Sequence, residues 1–98
     1  MAAIDPRLIM GLEQLRSLLG NRNIRIVSGY RSPKYNASID GAKKSYHMKG
    51  MAADIQVDGV SPSQVKAAAE KIPLFKNGGI GSYSSFTHVD VRGHRARW

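Results

Sequence analysis

Two short runs hold the side chains best suited to chemistry. Ser45-Tyr46-His47-Met48-Lys49-Gly50-Met51-Ala52-Ala53-Asp54 separates a histidine from an aspartate by six residues, one of them a glycine, and His88-Val89-Asp90 lies near the C-terminus. Two imidazoles and a carboxylate are a ligand set of a catalytic zinc ion, which takes three protein ligands and keeps a fourth position for water. Spacing alone leaves a second reading open, since a histidine near a strand is more often a surface or hydrogen-bonded group. The chain has no cysteine, which removes disulfide frameworks, thiolate metal sites and cysteine nucleophiles.

Two strands must position these groups. In Ala52–Val57, Ala53, Ile55 and Val57 point one way and Asp54 and Gln56 the other. In Phe86–Val91, Thr87, Val89 and Val91 share one face and His88 and Asp90 the other. If the two strands pair in one antiparallel sheet, Asp54, His88 and Asp90 share the face away from the apolar core. His47 enters from the preceding loop, and Gly50 allows the bend.

The remaining elements build the other side of that sheet. Asp5 caps and Pro6 opens a helix over residues 6–19, with Leu8, Leu12, Leu15 and Leu19, and Ile9 and Leu18 beside them, in one apolar stripe. Residues 23–28 read as a strand running into Gly29-Tyr30-Arg31-Ser32-Pro33. A long polar connection over 32–46 follows. Ser61, Pro62 and Gln64 form a capping box ahead of a helix that buries Val65, Ala68, Ala69 and Ile72 and stops at Pro73. Gly79–Tyr83 is a weak strand. His94 and the basic tail Arg95-Ala96-Arg97-Trp98 are expected to be irregular: Arg92, Arg95 and Arg97 with Trp98 form a solvated end that packs one tryptophan, or a basic and aromatic nucleic-acid contact. The expected fold is therefore α+β, an antiparallel sheet of about four strands with helices on one face.

Composition bounds the rest. Ninety-eight residues make one domain over 1–98. The sequence has no apolar run long enough for a membrane span, no secretory signal is expected from its opening residues, and its net charge of +8 suits a polyanion such as a cell wall or nucleic acid.

Taken together, Val27-Ser28-Gly29-Tyr30-Arg31-Ser32-Pro33, Ser45-x-His47-x-x-Gly50-x-Ala52-x-Asp54, and Gly79–Tyr83 leading to His88-Val89-Asp90 resemble the zinc D-alanyl-D-alanine carboxypeptidases. These belong with the peptidoglycan peptidases of the hedgehog/DD-peptidase fold. The resemblance covers roughly residues 24–92. It implies that His47, Asp54 and His88 bind zinc, with zinc-bound water as nucleophile, and that Arg31 holds a substrate carboxylate or polarises the scissile carbonyl. Ser45 either hydrogen-bonds near the metal, as a substrate-binding residue, or orders its loop. Tyr83 lines the cleft or packs its wall.

One position departs from the family. Classical members carry an acidic residue three positions before the last histidine ligand, as general acid/base, where this chain has Ser85. Asp90 is the nearby carboxylate, as general base or as a partner that orients a histidine. His94 is a weaker candidate to replace His88 as ligand. The expected activity is hydrolysis of a peptidoglycan stem-peptide bond, either D-Ala-D-Ala as a carboxypeptidase or L-Ala-D-Glu or a crosslink as an endopeptidase. The alternative is an inactive zinc domain that binds cell wall or peptide. The expected molecule is a monomer acting on the wall, either a phage or prophage lysis protein or an excised domain, with no specific nucleic-acid partner.

Overall fold

The computed structural model describes residues 4–28 and 50–98. Helix α1 spans Pro6–Leu18 and opens as its sequence dictates: Asp5 accepts the Arg7 backbone N–H at 2.8 Å, with proline in the first turn. Strand β1 (Ile24–Ser28) is followed by β2 (Ala52–Val57), α2 (Pro62–Ala69), α3 (Pro73–Lys76), β3 (Gly79–Ser82), β4 (Thr87–Asp90) and β5 (Ala96–Arg97). The Ser61–Gln64 capping box of α2 is complete. The helix does not run on to Pro73 as expected: it ends at Ala69 with Glu70 as its cap, Ile72 is extended before the proline, and Pro73 opens the next helix, because its fixed φ suits a first helical position.

Among the described residues the sheet has five strands in the order β1-β2-β4-β3-β5. All neighbours are antiparallel except β3 and β5, which run parallel. The expectation of about four strands is corrected by β5. The tail read as irregular instead satisfies the open edge of β3, with Trp98 N–H donating to the Ile80 carbonyl and Ser82 N–H to the Trp98 carbonyl.

One face of the sheet carries the core. Ala53, Ile55 and Val57 from β2, Ile80 from β3 and Val89 from β4 meet Leu8, Leu12 and Leu15 of α1, Val65, Ala68 and Ala69 of α2, and Phe75 of α3. The leucine stripe is narrower than its sequence suggests. Leu19 packs at the margin of the core, while Ile9 and Leu18 are exposed, since they lie on the flanks of the helix turned from the sheet. Among the described residues, no helix is long and apolar enough to cross a membrane.

Candidate functional site

The opposite face begins with register. Antiparallel pairing sets Asp54 directly across from His88 and Ala52 across from Asp90, so Asp54, His88 and Asp90 share a face, as directly paired residues must. All three are fully buried. A bulge in β1 lies at this end of the sheet: Ile26 pairs with Ile55, but Ser28 pairs with Asp54, which leaves Val27 as the extra residue.

The His88 ring is held at both nitrogens. Nδ1 lies 3.0 Å from Asp54 Oδ1 and Nε2 lies 2.8 Å from Asp90 Oδ2. A neutral imidazole carries a single N–H. Two carboxylates on one ring therefore call for a second positive partner between ring and carboxylate, a proton or a metal ion.

The two carboxylates differ in their surroundings. Asp90 Oδ1 accepts the Gly79 backbone N–H at 2.6 Å, and Arg92 reaches both oxygens, with Nη2 at 2.7 Å from Oδ2. Burial raises the Asp90 pKa, but the hydrogen bonds from His88 and Arg92 outweigh it and hold the carboxyl well below the usual range. Asp90 is thus an ionised, enclosed carboxylate behind the ring. Asp54 is on the other side, beside Nδ1.

The donor set on that side fits a zinc ion. Two donors at about 2.0–2.1 Å on a tetrahedral ion lie roughly 3.3 Å apart, close to the 3.0 Å between Asp54 Oδ1 and His88 Nδ1. Among the described residues no three His, Cys, Asp or Glu side chains form a metal cage, so Asp54 and His88 would provide two ligands of an incomplete set. The third expected ligand, His47, lies outside the described residues, as do Arg31 and Ser45. Gly50, at the edge of the described chain, has φ +70, the bend expected of it.

The structure also brings Tyr83, Arg92 and Trp98 to the histidine. Arg92 lies against Asp90, and its guanidinium stands 5.1 Å from the Trp98 ring centroid. The Trp98 indole lies 4.7 Å from the His88 ring, centroid to centroid, and its Nε1–H donates to the Tyr83 hydroxyl at 2.8 Å. Tyr83 in turn stacks on Phe86 at 4.4 Å. A lone tryptophan in a basic tail was the available sequence signal, but nothing in the sequence aimed it at His88. Ser85 is exposed, and its carbonyl accepts from Gln56 Nε2 at 2.8 Å.

The fold and this face define an α+β domain with a buried histidine–carboxylate cluster on the sheet surface opposite the helices. The peptidase M15 family model matches residues 1–90, and the chain belongs to that family. It is similar to the peptidoglycan L,D-endopeptidase MepK of Escherichia coli, with 39% identity over 97 residues that cover 91% of this chain and 52% of that protein. The probable peptidoglycan L,D-endopeptidase MepK of Haemophilus influenzae is 42% identical over 97 residues, covering 90% of this chain and 50% of its own. The chain spans about half the length of the curated relatives it matches.

Proposed function

We propose that this chain is a zinc-dependent peptidase that cleaves an L,D peptide bond in peptidoglycan. The reading rests above all on the row Asp54–His88–Asp90, in which a buried imidazole is held from behind by one carboxylate and faces another through Nδ1. Membership of the M15 family and the named activity of the MepK relatives support the substrate class. Those names favour an endopeptidase over the D-Ala-D-Ala carboxypeptidase.

Asp54, His88 and His47 would hold the ion. When bound, zinc supplies a Lewis acid for the scissile carbonyl and brings the pKa of water toward neutrality. His88 keeps its Nε2–H on Asp90 and so presents the Nδ1 lone pair to the side of Asp54. Chain reach supports the remaining ligand: His47 is three residues from Gly50, at most roughly 11 Å of extended chain. Arg31 is likewise three residues beyond Ser28, which pairs with Asp54. A planar guanidinium there would clamp a stem-peptide carboxylate, with Ser45 and Tyr83 as further substrate contacts. The net charge of +8 suits an anionic wall.

Asp90 serves in this scheme as the orienting partner of His88. Its two oxygens are already engaged by His88, Arg92 and Gly79, and it is fully buried, which is unsuited to exchanging a proton with substrate.

Digestion of purified peptidoglycan, with and without a chelator and with products identified by mass, tests the function. We expect chelator-sensitive release of fragments cut between an L- and a D-centre. Release of D-alanine alone would instead identify a carboxypeptidase, and no release with zinc bound would identify a binding domain. His47→Ala, Asp54→Ala and His88→Ala should each lose zinc and activity. Full zinc content in Asp54→Ala by elemental analysis would remove it from the ligand set.

A further inference from the structure

The C-terminal strand does more than close a sheet edge. Gly81 pairs directly with His88 across β3 and β4, so its side-chain position is the neighbour of the imidazole on the site face. That position is empty of any side chain of its own. A Cβ at Gly81 would collide with Trp98 Nε1 and lie 2.6 Å from Cε2. The indole of Trp98 crosses from β5 through this vacancy to reach the His88 ring, 4.7 Å away. The same sheet row therefore reads Asp54, His88, then Trp98 over Gly81.

The strand that delivers the indole is firmly held. Its backbone pairs with Gly78, Ile80 and Ser82. Arg97 donates to Glu70 through Nε at 2.9 Å and Nη2 at 2.7 Å, and to the carbonyls of Gly78 and Lys76. The indole itself is fixed at its edge by Tyr83 and at its face by Arg92. Yet Trp98 remains 38% exposed. A large apolar ring, anchored on several sides and open on the rest beside a buried histidine, has the form of a binding-site wall rather than a core residue.

We infer that Trp98 is a substrate-contacting residue, its exposed indole surface taking an aliphatic portion of the stem peptide that flanks the scissile bond. This deepens the peptidoglycan-peptidase reading and rests on it. Methyl and methylene groups of short stem-peptide side chains suit a flat indole, which gains from apolar burial at little cost in side-chain freedom.

The chain has one tryptophan, so its emission reports on this ring alone. Emission is followed as purified crosslinked muropeptides are added, and KM and kcat are measured on the same substrate for wild type, Trp98→Phe and Trp98→Ala. Expected are a saturable emission change, a KM raised on the order of tenfold in Trp98→Ala and less in Trp98→Phe, and zinc content and melting temperature near wild type in Trp98→Phe. A merely structural ring would lower stability or zinc content and leave KM alone. Unchanged emission at saturating muropeptide, or a wild-type KM in Trp98→Ala, would overturn the assignment. If wild type releases no product, the peptidase reading fails, and the emission titration still decides whether muropeptides seat on the indole.

Discussion

At the scale of single residues, Asp90 is where two roles part company. A general base must give up a lone pair to a proton from water or substrate. Asp90 instead spends its oxygens on His88, Arg92 and the Gly79 N–H, out of solvent. An orienting carboxylate fixes the tautomer of its histidine and raises its basicity as a ligand. Asp90→Ala should therefore weaken zinc binding by about 10–100-fold, with Asp90→Asn less affected because its amide oxygen still accepts from Nε2. Competition against a chelator of known affinity measures this. Zinc affinity equal to wild type in both variants, with turnover lost, would restore Asp90 as the base. The sequence exposed the pair of roles, because alternation placed Asp90 on the face of His88. It left the choice open, because that depends on Arg92 and Gly79, which meet Asp90 through a bend and a neighbouring strand.

Among the elements, those with strong local signals were legible and those made by partners were not. Helix α1 carries its own cap and proline, and α2 its own capping box. Strands β2 and β4 announce themselves by alternation, which also assigned their two faces correctly. Strand β5 has two residues and no pattern; it exists because β3 offers an unpaired edge. Ile9 and Leu18 fit the helical period yet face outward, because the width of a buried stripe is set by what packs on it. The strap from Arg95 to Trp98 hangs on Glu70, whose pKa the Arg97 hydrogen bond lowers despite some opposing burial. A lowered carboxyl pKa stabilises the fold above the unfolded value near 4.5 and ceases to do so as pH falls through the folded one. Glu70→Gln should thus cost about 0.5 kcal/mol at neutral pH, and the difference from wild type should shrink in acid. Thermal melts across pH check this; a constant gap from pH 7 to pH 3 would exclude the ion pair as its source.

For the molecule as a whole, sequence patterning separated a core face from a site face, while strand order was not written in any local signal. The site is accordingly assembled from segments remote in the chain: Asp54 and His88 are 34 residues apart, whereas the β3–β4 pairing that carries His88 closes over a short turn. Loop-closure entropy favours the short pairing over the long one. We predict that the hairpin with His88, Asp90 and Gly81 forms early and that Asp54 joins it after the rate-limiting barrier. An ion shared by Asp54 and His88 would then reward only the finished pairing. Zinc should slow unfolding and leave the folding rate nearly unchanged, as stopped-flow kinetics with and without the metal can determine; equal acceleration of folding would place the β2–β4 pairing in the nucleus. On that account a bound metal would act as a latch on an already folded sheet, setting how long the native state lasts rather than how quickly it is reached.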